Sequence, residues 1–460
     1  MHQRPPFDIA IVGDGFCSLM TAAHVIRQQQ QTKIRIAVIG KKDRWGPGVA
    51  YGLCADYHLL NVPAGRMGAF AGQPGDFLAW IKNNISPEDQ APFIDSSRGL
   101  ENAFVPRAWY GRYLDSVAKA TEEDALRQQI TLEFIENRAE NLDYQGSIFT
   151  LHCDDERIEA RQVVVAIGVP PPVVAVDDPH SWMINPFDQT TRFDYSTLRH
   201  EMRPVVILGL GLTMIDVVMS LSRHQYQGTI YALSRRGLLP LSHAAYENPD
   251  AIKAIADKLM PMRGTVSEKL RILRANAALC RARGIEWPWY IDYVRTQVPQ
   301  IWADLNISEK KIFLKRVLAY WNIHRHRQPP ESYQLLQTLQ SSGHLKLSKG
   351  RIQWRATHDR LCATLPGGET INDIAAVFNA RGPDYACARN PLLQSALDAK
   401  LIEMHATGLG VITNKDHSAQ GKATGALYVT GGLMVGMYLD STSVPDLRAQ
   451  CEVIARALAK

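Results

Sequence analysis

Residues 7–18 read FDIAIVGDGFCS, and residues 203–214 read RPVVILGLGLTM. Both stretches have one grammar. A mostly apolar run, Phe7 to Val12 in the first and Arg203 to Leu208 in the second, has the length of a strand buried on both faces. A turn with two glycines follows: Gly13 and Gly15, then Gly209 and Gly211. Helical spacing comes next, with Leu19, Ala22, Ala23 and Ile26 on one face of the first helix, and Ile215 to Ser222 continuing the second. Each helix leads to another strand, Lys33 to Ile39 and Thr229 to Leu233. The chain therefore holds two βαβ starts, with right-handed crossovers expected in both.

Such a turn has a definite chemistry. The first glycine allows the tight bend, the second lets a pyrophosphate approach the backbone, and a small third residue lets helix and strand pack. The third place is Ser18 in one turn and Met214 in the other, so neither is a perfect GxGxxG. The helix N-terminus then offers free N–H groups to an anion. This makes Gly13, Gly15, Phe16, Cys17 and Ser18, and likewise Gly209, Gly211, Leu212 and Thr213, candidate phosphate-binding residues. The end of the following strand selects the ribose: an acid there bonds the 2′-OH, and an arginine takes a 2′-phosphate. The second unit reads Ser234-Arg235-Arg236, which favours NADPH. The first reads Gly40-Lys41-Lys42-Asp43, without the expected acid; the alternatives are that Asp43 substitutes for it or that the adenosine ribose is held otherwise. The fold class expected is α/β, with two Rossmann-like dinucleotide-binding domains.

The rest of the chain fits around these units. Arg161 to Gly168 reads as a strand that ends on glycine before Pro170-Pro171-Pro172. Residues from about 245 to 340 read as a mostly helical insertion carrying Trp287, Trp289, Trp302 and Trp321. Two later apolar strands (Ile374 to Asn379, Ala426 to Thr430) and a helix from Val444 to Ala459 complete it. The division expected is 1–200 as the first part of an FAD-binding domain, 201–350 as an NAD(P)-binding domain with the insertion, and 351–460 as the return to the first.

Composition narrows the function classes. Of 460 residues, 46% are hydrophobic and 21% charged, which excludes a disordered chain or a coiled coil. A net charge of +5 is mild for this length and gives no argument for nucleic acid. Seven cysteines, no two closer than 25 residues, form no CxxC, zinc ribbon or dithiol motif. No signal segment and no long apolar run is present, so a cytoplasmic protein that does not span a membrane is expected. The His324-Arg325-His326-Arg327 run lacks a third ligand for a metal, and reads as a basic patch near NADPH or an anionic substrate, or as a solvated helix face.

Several ordered blocks resemble the bacterial FAD-NAD(P)-binding family. They are Gly46-Pro47-Gly48-Val49-Ala50-Tyr51-Gly52, His58 through Met67, Val105 through Tyr113, Val165 through Gly168, Ser234 through Gly237, His324 through Arg327, and Gly431-Gly432 through Arg448. The resemblance implies FAD in the first unit and NAD(P)H in the second. More distantly the layout is similar to N-hydroxylating flavin monooxygenases, although Gly432 stands where an acid often follows Gly431. Further cofactor-binding candidates are Lys41, His58, Asn61, Val62, Arg66, Met67, Arg107, Gly168 and Gly431. Asn61 and Arg66 lie in a Pro/Gly-rich loop able to cover a flavin ring, with Arg66 near N1 or the pyrophosphate. Arg107 begins a helix, and His58 is a candidate acid or base. No residue stands out as the catalytic base. The function expected is an FAD-dependent, NADPH-using oxidoreductase, a monooxygenase on a small molecule. The alternatives are a regulatory binding module that keeps the fold and a simple NADPH oxidase or reductase.

Overall fold

The structure is a computed structural model that describes residues 5–28, 33–94, 99–154, 156–168, 183–187, 192–243, 252–356, 361–383, 385 and 387–459. The Pro170–Pro172 run lies outside them. The first unit opens with β1 (Phe7–Val12), α1 (Phe16–Gln28) and β2 (Arg35–Ile39). Helix α2 (Arg107–Arg127) leads to β3 (Thr131–Ile135), then β4 (Ala139–Gln145), β5 (Ile148–Cys153) and β6 (Glu156–Val165). The strand order is β3-β2-β1-β6-β5-β4. The first four are parallel, and β5 and β4 fold back antiparallel. Their sequences explain the difference. In β1 five of six residues are buried, as a strand covered by helices on both faces requires, whereas β5 buries every second residue.

The second unit contains β7 (Met183–Ile184), β8 (Val205–Leu208), α3 (Leu212–Arg223) and β9 (Ile230–Ser234). The expected insertion follows as α4 (Val266–Arg281), α5 (Trp287–Ala303), α6 (Ile307–Arg316), α7 (Leu318–Arg325) and α8 (Pro330–Ser341), and β10 (Leu345–Lys349) returns to the sheet. Helix α4 starts on a reciprocal cap between Thr265 and Glu268. A small antiparallel sheet, β11 (Gln353–Ala356), β12 (Leu361–Thr364) and β13 (Thr370–Ile371), precedes β14 (Ala376–Asn379). The second sheet is parallel throughout, in the order β10-β9-β8-β14-β7. Helix α9 (Pro391–Asp398) covers β4, β15 (Leu427–Val429) pairs with β6, and α10 (Val444–Leu458) packs on α1. Sheet pairing thus places β14 in the second unit, within the 351–460 stretch expected to have left it. The chain rejoins the first sheet at β15.

The two units repeat one topology. Each runs strand, helix, strand, a third strand at the edge, then an antiparallel excursion and a return strand beside the first: β6 beside β1, β14 beside β8. The repeat extends to single atoms. The Gly13 amide donates to Ile39 O at 2.9 Å, and the Gly209 amide to Leu233 O at 2.8 Å. The Ala166 amide donates to Val12 O at 2.8 Å, and the Ala380 amide to Leu208 O at 2.7 Å. A Cβ on Gly13 would stand 2.3 Å from Ala166 O, and one on Gly209 would stand 2.0 Å from Ala380 O. Both glycines also have positive φ, +127° and +116°.

The insertion has its own core, which includes Tyr290, Val294, Val298, Trp302 and Trp321 and takes in Leu439 from the return segment. Trp302 Nε1 donates to Gly436 O at 2.8 Å, and Trp321 Nε1 reaches Asp440 Oδ1 at 3.4 Å. Arg325 pairs with the same Asp440 carboxylate, and the buried Arg327 donates to Asp292 Oδ1 at 2.6 Å. Within the His324–Arg327 run, Arg325 therefore anchors the insertion to the return segment and Arg327 braces the insertion from inside. Among the described residues no helix is long and apolar enough to cross a membrane.

Gly13→Ala and Gly209→Ala should each cost at least about 3 kcal/mol, since a backbone carbonyl blocks the added methyl and the dihedral is strained. Gly211→Ala has open space around it, and its urea-unfolding midpoint should match the parent protein's. Equal midpoints for all three would refute the repeat.

Candidate nucleotide sites and an interdomain pocket

At both turns the helix N-terminus presents amides without acceptors. Within the described residues the Phe16, Cys17 and Ser18 amides have no partner; the first bond of α1 is from Leu19 N to Gly15 O at 3.2 Å. In α3 the first bond is from Met214 N to Gly211 O at 3.1 Å, which leaves Leu212 and Thr213. Such a row of N–H groups suits an anion. The turns differ in surroundings. The Gly15 backbone is met by Gly48 (φ +53°), whose Cβ would stand 2.9 Å from Gly15 Cα, while nothing lies within 4 Å of a Cβ on Gly211. Ser18 is buried and accepts from Trp45 Nε1 at 3.2 Å, and Met214 fills the core under α3. The imperfect third position is in each case a packing residue.

The strand ends separate the two turns further. Val12 pairs with Ile39, and Leu208 with Leu233, so Gly40 and Ser234 occupy equivalent places. Ser234 Oγ accepts the Gly237 amide at 3.0 Å and keeps its own proton to donate. Arg235 is exposed, with no partner among the described residues. Arg236 is different: its guanidinium donates to the Lys315 and Arg316 carbonyls and so caps α6. The sequence offered both arginines to a phosphate, but the helix end already holds Arg236. On the first unit the Lys41 amide bonds Asp14 Oδ2 at 3.1 Å and the Lys41 side chain is exposed.

The remaining candidates divide between the first unit's interior and its contacts with the insertion. Met67 is buried and Val62 packs on the first core. The Asn61 carbonyl meets His243 Nε2 at 3.0 Å. Arg66 reaches Asp292 of α5 at 3.6 Å. Gly168 (φ +69°) ends the segment after β6, with nothing among the described residues within 4 Å of the place a Cβ would take. The Gly431 amide donates to Gln450 Oε1 at 2.9 Å. The Cys17 thiol faces α10: a hydrogen bond with Cys451 holds it below its ordinary pKa, while burial pushes Cys451 well up.

A cavity of about 410 Å³ opens between the units. Val49, Ala50 and Cys54 line one wall, Thr213, Asp216 and Ser220 of α3 another, and Phe187, Phe193 and Tyr195 a third. At its floor the Arg107 guanidinium forks onto Asp216 at 2.8 and 3.2 Å and also donates to Leu59 O at 3.1 Å. Both side chains are largely buried. His58 stands beside them. Its Nδ1 accepts the Ala55 amide at 3.2 Å, so the proton is on Nε2, which faces Ser220 Oγ at 2.9 Å and Asp216 O at 3.1 Å. Burial depresses its pKa, with Asp216 opposing. His58 is thus a neutral bridge between units. Asp216 is the residue that reading the sequence passed over. A single acid in the apolar run Leu212-Thr213-Met214-Ile215-Asp216-Val217-Val218 was its signal.

Residues 10–170 match the family model described as FAD-NAD(P)-binding. That is roughly a third of the chain. No curated protein matches it. Among solved structures, an ornithine hydroxylase from Pseudomonas aeruginosa is similar at 14% identity over 99% of both chains, TM-score 0.63. An ornithine N-hydroxylase from Kutzneria sp., in a structure with reduced FAD, NADP+ and L-ornithine, is 13% identical over 99% of both chains, TM-score 0.58. Bacillithiol disulfide reductase from Bacillus cereus is 13% identical over 99% of both, TM-score 0.53. The chain has the fold of two-dinucleotide-binding flavoproteins.

His24, His58, His326, His405 and His417 all have pKa values depressed, first by burial. The folded state therefore binds fewer protons than the unfolded chain below about pH 6.5. Stability should be complete above that pH and fall as the pH drops, by up to about 1.4 kcal/mol per pH unit for each histidine. Urea unfolding at pH 7.5, 6.5 and 5.5 should show this decline, and His58→Gln should make it shallower.

Proposed function

We propose that the protein is an FAD-dependent oxidoreductase that uses NADPH, and that it acts as a monooxygenase on a small molecule. One observation carries the reading. Two phosphate turns of matching geometry carry different strand ends, and Thr213 of the second lines a pocket between the units. Bound FAD supplies the two-electron redox chemistry. The unpartnered amides of Phe16, Cys17 and Ser18 fit its pyrophosphate in the first turn. In the second, Leu212 and Thr213 amides suit the pyrophosphate of NADPH, while Ser234 and the free Arg235 suit its 2′-phosphate. The pocket's volume lies within the range of small-molecule sites, about 300–1,000 Å³. Phe187, Phe193 and Tyr195 give it an apolar wall, and its polar floor is already satisfied by the Arg107–Asp216 pair. The shared fold with ornithine hydroxylases supports the monooxygenase reading by analogy. Seven scattered cysteines without a CxxC motif suit a reducing compartment such as the cytoplasm.

The purified protein should show a flavin absorbance spectrum, and anaerobic NADPH should bleach it. Arg235→Gln should raise the NADPH concentration required by about 10- to 100-fold and leave the NADH requirement unchanged. Arg236→Gln should alter stability through α6, not the preference for NADPH. Protein that stays colourless after incubation with FAD would sink the proposal. Flavin bleached by NADPH but reoxidised by a disulfide, and not by oxygen with any amine, would replace the monooxygenase with a reductase.

A further inference from the structure

The first turn lacks the acid that a dinucleotide ribose calls for at the end of β2, and the structure shows why it cannot stand there. Gly40 has φ +154°, and a Cβ on it would lie 2.9 Å from Asp14 Cβ. The side chain of Asp14, the residue between the two glycines, already fills the place beside the strand end. Its carboxylate is fixed there. Oδ2 accepts the Lys41 amide at 3.1 Å and the Arg44 guanidinium at 2.7 Å. Oδ1 has no partner among the described residues, and the side chain is only 18% exposed.

We propose that Asp14 replaces the missing strand-end acid, its free Oδ1 accepting hydrogen bonds from the 2′- and 3′-hydroxyls of the adenosine ribose of FAD. This rests on the FAD reading given above. A nucleotide with its pyrophosphate on the Phe16–Ser18 amides must cross from the helix N-terminus toward the end of β2, and Asp14 stands between the two. The Arg44 pair offsets the repulsion between this carboxylate and the pyrophosphate. The same carboxylate rejects a 2′-phosphate. In the second turn the residue equivalent to Asp14 is Leu210, which is buried, and the strand end carries Ser234 and Arg235. Asp14 thus makes the first turn specific for a free ribose diol, and the second turn, without an acid, is left to the phosphorylated ribose.

The test is the FAD dissociation constant of the full-length apoprotein, read from quenching of flavin fluorescence. Asp14→Ala should bind FAD about 10- to 100-fold more weakly than the parent, as expected for lost hydrogen bonds to a charged acceptor. Asp14→Asn, which keeps the shape without the charge, should fall between them. Arg44→Gln keeps Oδ1 in place but removes the charge that offsets the carboxylate, and should weaken FAD binding less than Asp14→Ala does. Circular dichroism melting of each variant separates lost binding from lost fold. Tight FAD binding by the parent with an unchanged Asp14→Ala would overturn the proposal and leave the FAD reading intact. Equal losses in Arg44→Gln and Asp14→Ala, which would make Asp14 only a clamp on the 40–48 loop, would also overturn it. A parent protein that binds no FAD would overturn both.

Discussion

The fold depends on a close approach between backbones: the carbonyl oxygen of a return strand set against a glycine Cα at the end of the first strand. It occurs twice, at Ala166 O with Gly13 and at Ala380 O with Gly209. Neither approach tolerates a side chain. Each locks the first strand of its unit to the return strand, and each turns the following helix so that its free amides face outward at the sheet's carboxyl edge. Everything proposed about nucleotides follows from that placement, because anion binding by a helix terminus needs unpartnered N–H groups held in position.

What distinguishes the two copies is the chemistry added around a common frame. The first turn is hemmed by Gly48 and carries Asp14, Lys41 and Arg44. The second is open and carries Ser234 and Arg235. The frame itself is symmetric, so the choice of ribose falls to these few side chains. The units are then held together by buried charge. Arg107 and Asp216 meet bidentately at the pocket floor with His58 beside them. The insertion is anchored to the return segment by Trp302, Trp321 and Arg325. Buried pairs of this kind contribute little net stability over apolar packing, yet removing one partner costs about 3–5 kcal/mol, so they fix the relative placement of the units.

Much of this was legible in the sequence, and the reasons are physical. Two apolar runs of strand length, each followed by paired glycines and a helical period, are local signals that no packing overrides. Sequence periodicity also found the helical insertion. Tertiary pairing was less legible. Strand β14 joins the second sheet because Val377 and Phe378 pair with Val206 and Ile207, and nothing local announces such a partner. Strands β11, β12 and β13 are only four, four and two residues long, too short for alternation to announce them. At the site, Arg235 and Arg236 look alike in sequence, but only the fold shows that one caps a helix. Asp14 was hidden for a related reason: the motif directs attention to the glycines and to the end of β2, and the carboxylate sits between them.

The account's central claim is that one chain holds two different dinucleotides at two equivalent turns. Isothermal titration calorimetry of the apoprotein with FAD, followed by NADPH on the FAD-saturated protein, tests it most directly. The prediction is one FAD and then one NADPH per chain, with NADPH leaving the bound FAD in place. A single nucleotide per chain, or NADPH that displaces FAD, would contradict it.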